Sequence, residues 1–140
     1  MSAEQNKAIA RRWAEEVWSK GNFSLVDELL AAEYVAHDPA TPEEVRGPEG
    51  FRHYVEAFRK ALPDMQLTVE DQVAEGEKVV TRWTARGTHR GEFMGIAPSG
   101  KRLEMAGVSI DRFSDGRFVE SWENYDALGM MEQMGAFPKA

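Results

Sequence analysis

The dominant hydrophobic period of this chain changes at Pro63, and that change limits what it can fold into. Upstream, Ile9, Trp13 and Val17 recur every four residues with Ala10 and Ala14 beside them. Phe51, Tyr54, Val55, Phe58 and Leu62 repeat at the same helical spacing. Such stripes bury one face of a helix. Proline has no amide hydrogen and cannot continue a helix interior, so Pro63 closes the last stripe. From Met65 onward, Met65, Leu67 and Val69 alternate with Gln66, Thr68 and Glu70. Alternation by two is the pattern of a strand with distinct faces. Helices first and strands afterwards imply an α+β fold, with N-terminal helices packed on one face of a sheet.

The turn chemistry divides the two halves further. Ser2-Ala-Glu-Gln5 has the form of a capping box, and Gly21 stands where a helix would end. A second, shorter helix is expected from Asn22 or Ser24 through Leu29 and Leu30, then an extended segment over Glu33–Pro39. The run Pro39 to Pro48, with Pro42 and Gly47, reads as a loop. Pro48 suits the first turn of a third helix. Beyond Met65, Glu75-Gly-Glu-Lys78 is a turn, and Val79 to His89 is a long strand rich in β-branched and aromatic residues. Gly91 to Gly100 is a second turn or crossover. Leu103 to Phe113 is a strand, Asp115-Gly116 marks a hairpin, and Phe118 to Asp126 is the last strand, before a Met-rich helix over Leu128 to Met134. Glycines 87, 91 and 107 sit where a sheet can bend and curl into a cone. A single domain over residues 1–140 is expected.

Composition removes several function classes. With no Cys, the chain has no disulfide framework, thiolate metal site or cysteine nucleophile. Seventeen basic residues against 24 acidic ones give a net charge of −7, which argues against nucleic acid or an anionic membrane as a partner. No apolar run approaches membrane-spanning length, and the first residues lack a signal-peptide core, so a soluble, cytoplasmic protein is expected. No nucleophile elbow, phosphate loop or zinc helix motif occurs. The three histidines, 37, 53 and 89, are scattered; only a carboxylate joining two of them would make a facial-triad metal site. His53 falls off the helical stripe and takes no role. What remains is acid–base chemistry by carboxylates and histidines.

The last strand concentrates the candidates. Phe118, Glu120, Trp122, Asn124 and Asp126 alternate, and a face mixing aromatic with acidic residues suits a lined pocket. The same pattern also fits a half-exposed strand with Trp122 packed under a helix. Asp126 is the leading acid–base candidate; its other reading is N-cap of the terminal helix. Of the neighbours His37 and Asp38, one points inward, because adjacent residues on an extended segment face opposite ways. Asp38 before Pro39 also reads as a turn starter. His89 stands at the mouth of a cone or on a surface hairpin. Arg82, if inward, needs a carboxylate, with Glu120 as the natural partner. Trp13 and Trp18 are both candidate pocket lids, with core packing the preferred reading for Trp13.

Taken together, Tyr34-Val-Ala-His-Asp-Pro39, Gly47-Pro-Glu-Gly-Phe51, Pro63-Asp64, Arg82-Trp83, Gly87-Thr-His-Arg-Gly-Glu-Phe93, Gly95 to Gly100-Lys101, Glu120-Ser-Trp-Glu-Asn-Tyr-Asp-Ala-Leu-Gly129 and Gln133-Met-Gly135 resemble the SnoaL-like polyketide cyclases (ester cyclases) of the nuclear-transport-factor-2-like superfamily. The resemblance runs nearly end to end. It implies a cone-shaped α+β barrel with a strongly curved mixed or antiparallel sheet and a short C-terminal helix. It also implies a hydrophobic cavity, a homodimer formed through the sheet, and no metal or organic cofactor. It points to cofactor-independent aldol cyclisation, or related lyase or isomerase chemistry, on a small hydrophobic carbonyl compound. Asp126 would be the acid–base residue and His37 and His89 its polar helpers. Tyr34, Phe58, Trp83, Met105, Trp122, Asn124 and Arg82 would contact substrate. The superfamily also contains non-catalytic binding or scaffold proteins, and Asp38-Pro39 resembles the base-bearing segment of ketosteroid isomerases.

Overall fold

The computed structural model describes residues 2–41 and 43–136; Pro42, placed above in a loop, lies outside them. Helix α1 (Ala3–Trp13) starts at the expected capping box. The Gln5 amide donates to Ser2 Oγ at 3.2 Å, and the Ser2 amide donates to Gln5 Oε1 at 2.8 Å. The helix does not end there but widens into a π-helical turn over Ala14–Ser19 before Gly21, whose φ of +71° suits glycine. In a π turn the hydrogen bond reaches five residues back, so residue i+5 lies nearer the line of residue i than it would in an α-helix. This swings Trp18 toward the side that Trp13 and Val17 bury. Helix α2 (Ser24–Leu29), strand β1 (Leu30–His37), strand β2 (Val45–Arg46) and helix α3 (Gly47–Ala61) follow. The segment expected to be a loop therefore contains a short strand, β2, and α3 begins one residue before Pro48.

The period-two half becomes β3 (Gln66–Glu75), β4 (Lys78–Thr88), β5 (Arg102–Ser114) and β6 (Arg117–Tyr125), closed by α4 (Ala127–Gln133). All six strands form one sheet in the order β2-β1-β6-β5-β4-β3. The β1–β6 pair is parallel and the others are antiparallel, so the sheet is mixed. The helices cover its inner face, where alternate residues of β5 (Leu103, Met105, Gly107, Ser109, Asp111, Phe113) are buried. None of the helices described is long and apolar enough to cross a membrane.

Two apolar clusters fill the space between helices and sheet. One gathers Trp13, Val17, Val26, Phe51, Phe113 and Phe118; the other gathers Phe58, Leu62, Met65, Trp83, Leu103 and Met105 with Met130 and Met134 of the C-terminal segment. Each fully buried side chain of this size contributes about 1.5–3 kcal/mol. Trp18 and Tyr54 pack against both clusters and stand at their junction.

The glycines expected at bends stand where other parts of the chain approach closely. A Cβ on Gly107 would lie 2.3 Å from the Trp83 indole, and one on Gly91 would lie 2.3 Å from the Lys60 carbonyl oxygen. Gly91 and Arg90 thereby reach the last turn of α3, where both amides donate to the Ala61 carbonyl.

One irregularity in β6 matters for everything that follows. Phe113 opposes Phe118, yet the preceding residue of β5, Arg112, opposes Glu120. Val119 is an extra residue, a β-bulge, and a one-residue offset turns every later side chain to the other face. Phe118, Ser121, Glu123 and Tyr125 point inward, while Glu120, Trp122 and Asn124 point outward.

Candidate functional site

The pocket opens where the two apolar clusters meet. Its walls come from Trp18 of the π turn, Tyr54 and Phe58 of α3, Met65 and Leu67 at the start of β3, Trp83 and Ala85 of β4, Met105 and Ser109 of β5, and Glu123 and Tyr125 of β6. Counting the open solvent at its mouth, the space between its walls is about 380 Å³, of which the centre of a water-sized molecule can reach about 40 Å³. Five aromatic rings form a continuous arc around it. Trp18 meets Tyr54 and Phe58 at centroid separations of 5.7 and 5.6 Å, Phe58 meets Tyr125 at 5.9 Å, and Tyr125 meets Trp83 at 6.5 Å.

Two hydrogen-bonded sets supply the polar groups. In the first, the Trp83 Nε1–H donates to Ser109 Oγ at 2.9 Å, and the Ser109 hydroxyl donates to Glu123 Oε2. Indole nitrogen is only a donor, so the Ser109 oxygen accepts there and must spend its own proton on Glu123. In the second, Tyr54 and Tyr125 both donate their hydroxyl protons to Asp38 Oδ2, at 2.6 and 2.8 Å, and the Ala40 amide donates to Asp38 Oδ1 at 2.8 Å. Behind Glu123, the buried Asp111 accepts from Ser121 Oγ at 2.5 Å.

Burial shapes the ionisation of this group. It pushes the Glu123 carboxyl well above the usual carboxylate range; the nearby Asp111 charge adds to the rise, the Ser109 bond opposes it, and Asp38 adds a smaller push. Asp111 is raised by the same desolvation, partly offset by Ser121. Burial also carries the Tyr54 and Tyr125 phenols far upward, so both keep their protons. A carboxyl raised toward neutrality within hydrogen-bond reach of a cavity is the equipment of a general acid–base group.

The sequence candidates divide sharply. Phe58, Trp83 and Met105 line the pocket together. Tyr34 is buried in the first apolar cluster, edge-on to Phe51. Trp122 and Asn124 lie on the outer face, turned there by the Val119 bulge. Trp122 stacks on His37 with centroids 5.6 Å apart. His37 is held between Glu44 Oε2 at 2.9 Å and Glu120 Oε2 at 2.8 Å, away from the aromatic pocket. Of the pair at 37 and 38, Asp38 is the inward one. Arg82 is on the outer face and pairs with Asp71 at 3.2 Å, whereas Glu120 pairs with Arg112 and His37. The Arg82–Glu120 pairing, expected if Arg82 points inward, does not form: Arg82 faces outward and pairs with Asp71 directly across the β3–β4 ladder, while β5 separates it from Glu120.

Asp126 is exposed and caps α4, accepting from the Gly129 amide at 2.8 Å. The structure thus places it at the capping position and outside the pocket. His89 is fully buried beyond the end of β4. Its Nδ1 accepts from the Ser99 amide at 3.1 Å and contacts Ser99 Oγ at 2.9 Å, which pins the 91–100 loop. Among the described residues no group of three His, Asp or Glu is arranged to hold a metal.

Glu123, Ser109, Tyr54 and Tyr125 were not singled out by the sequence reading. Ser109 and Asp111 were accessible to it, because they continue the alternation Leu103, Met105, Gly107 on a face otherwise apolar. Glu123 and Tyr125 were hidden by the bulge, which no Gly or Pro announces.

Comparison with known proteins adds an independent line. The family model described as SnoaL-like polyketide cyclase matches residues 8–134. The aklanonic acid methyl ester cyclase AcmA of Streptomyces galilaeus is 28% identical over 136 residues, covering 95% of this chain and 92% of the relative. Among solved structures, TsrD of Streptomyces laurentii superposes with a TM-score of 0.86 at 30% identity, covering 98% of this chain and 99% of that one. IdmH of Streptomyces antibioticus gives 0.80 at 35% identity, with 94% and 99% covered.

Proposed function

Because this chain belongs to the SnoaL-like polyketide cyclase family, we propose that it catalyses a cofactor-independent aldol-type cyclisation, or a related lyase or isomerase step, on a hydrophobic carbonyl compound, with Glu123 as the acid–base residue. The observation that carries this reading is the Glu123 carboxyl at the wall of an aromatic pocket, fixed by the Trp83–Ser109 relay and raised toward neutrality. In its ionised form Glu123 removes a proton from the carbon α to a carbonyl. The enolate carbon attacks a second carbonyl of the same molecule, forming the ring bond, and the resulting oxyanion takes the proton back from Glu123. One group serves both transfers, so atoms and charge balance without a further reactant. Asp38 is less suited as the base, since two phenols and an amide already occupy its oxygens.

The test is turnover of a panel of hydrophobic 1,3-dicarbonyl and polyketo esters by wild type and Glu123→Gln. A loss of about 10²–10⁴-fold with the thermal midpoint retained is expected for a removed acid–base group. Unchanged turnover in Glu123→Gln, or abolition by Asp126→Asn in a folded protein, would sink the assignment.

The same reading includes a homodimer through the outer sheet face. Val80, Ile110 and Trp122 lie opposite one another across β4, β5 and β6, and Val108 and Ile110 are exposed large apolar residues beside them. Sedimentation equilibrium should find a dimer that Ile110→Glu converts to monomer; a monomeric wild type refutes it.

A further inference from the structure

The polar groups of the pocket wall share an arrangement that points to the charge of the ligand. Tyr54 and Tyr125 spend their hydroxyl protons on Asp38, Trp83 spends its N–H on Ser109, and Ser109 spends its O–H on Glu123. Each of these four donors is consumed inside the wall. Toward the cavity the phenol oxygens and the second Glu123 oxygen offer lone pairs, and the rings offer their π faces. Among the described residues only the Trp18 indole N–H remains unengaged as a wall donor, and no Lys, Arg or His lines the pocket. Nor do the described residues give Asp38, Asp111 or Glu123 an ion-pair partner, although Asp38 and Asp111 are buried and Glu123 sits beside the cavity.

Burying several carboxyl groups without a cation is costly, and the usual remedies are a proton or a counter-ion. Aromatic rings attract a cation within about 6 Å of their centroids through the negative face of the ring, most strongly where water is excluded. With Glu123 ionised, a pocket whose polar groups are acceptors apart from the Trp18 N–H, ringed by five aromatic residues and backed by carboxyl groups without ion-pair partners, therefore recognises a ligand that brings positive charge. The net charge of −7 adds a long-range field of the right sign. We infer that the pocket takes a hydrophobic molecule bearing an alkylammonium group, seated among Trp18, Tyr54, Phe58, Trp83 and Tyr125 against the Glu123 carboxylate. If Glu123 is the base, the substrate is a carbonyl compound that also carries a basic amine. This inference rests on the pocket being the ligand site and does not require Glu123 to act as base.

The test uses probes of equal shape and different charge: choline and its neutral isostere 3,3-dimethyl-1-butanol, each titrated into the intact protein and followed by Trp and Tyr ring signals in NMR. Tetramethylammonium and trimethylammonium extend the series to heads without and with an N–H. Choline should bind at least 10-fold more tightly than the isostere. The preference should grow as pH rises through the neutral range, because ionised Glu123 is the form that pairs with a cation. Glu123→Gln should reduce the preference toward unity while leaving the isostere's affinity unchanged, and Ser109→Ala should retain a preference for charge. Equal or weaker binding of choline, or no binding of either probe at tens of millimolar, overturns the inference. Should the charge preference hold while Glu123→Gln keeps full turnover, the acid–base assignment alone falls.

Discussion

Substituting Gly107 by alanine should disturb the pocket from the sheet side, and the structure sets the size of the effect. Gly107 faces inward on β5, between Trp83 on β4 and Tyr125 on β6. A Cβ there would lie 2.3, 2.6 and 2.8 Å from three atoms of the Trp83 indole. Carbon atoms rest at about 3.5–4.0 Å, so the ring must retreat by about 1.2 Å or more. Trp83 is only 7% exposed, and a retreating ring must push into the pocket it lines or against its packed neighbours. Overpacking of this kind costs about 1–3 kcal/mol. The retreat also breaks the Nε1–H bond to Ser109, at about 1 kcal/mol more. With an unfolding entropy of about 2.1 cal/mol/K per residue, a total of about 2–4 kcal/mol lowers the melting temperature of a chain this size by about 7–14 °C. Thermal melts measure the loss, and the Trp83 indole ¹H–¹⁵N resonance reports the broken bond. Gly50→Ala is the control, since its Cβ would meet Val45 at an ordinary 3.8 Å inside α3, where alanine gains about 0.5–1 kcal/mol over glycine. A Gly107→Ala protein melting within about 2 °C of wild type, with the indole resonance unmoved, would refute the packing argument.

Other perturbations have equally definite outcomes. The folded pKa of Glu123 is raised, so its contribution to stability is fully present below the unfolded pKa and is lost as pH rises through the folded one. Wild type should therefore lose stability relative to Glu123→Gln between the unfolded value of about 4.3 and the folded value of about 8; parallel melting curves across that range would refute the assignment of a buried, raised carboxyl. Asp64 and Glu120 are lowered, by bonds from Thr88 and from His37 respectively, and should act in the opposite sense, stabilising above the unfolded pKa and losing that contribution as acid protonates them. Asp126→Ala should cost about 1 kcal/mol through its lost cap and leave turnover intact; loss of activity without loss of stability would return Asp126 to the chemistry.

Much of this architecture was legible in the order of residues. The period change at Pro63 separates helices from strands, the Ser2–Gln5 box starts α1, and Asp115-Gly116 turns β5 into β6 because the chain reverses tightly there, with both residues at positive φ. Local chemistry of that kind acts within a few residues and leaves a local mark. What escaped depends on distant partners. The parallel alignment of β1 with β6 joins residues some 85 positions apart, as His37 and Trp122 show. The two phenols that hold Asp38 come from α3 and β6. Glycines 91 and 107 are small because a carbonyl and an indole approach from elsewhere in the chain, a reason that no neighbouring residue discloses. Phe58, Trp83 and Met105 were found because apolar periodicity alone marks them as inward. Glu123 was missed because its direction is set by an inserted residue, Val119, four positions before it and seven before the expected acid Asp126.

The bulge at Val119 has a consequence for comparing proteins built on this sheet. Removing that single residue would exchange the two sides of the remaining strand, bringing Trp122 and Asn124 into the cavity and expelling Glu123 and Tyr125, with no substitution anywhere. Chemical identity in such a strand is thus a matter of phase. Two chains can carry the same letters in the same alignment column and still present opposite walls to their ligands. A functional residue is transferable between them only after the inserted residues between it and the last shared turn have been counted.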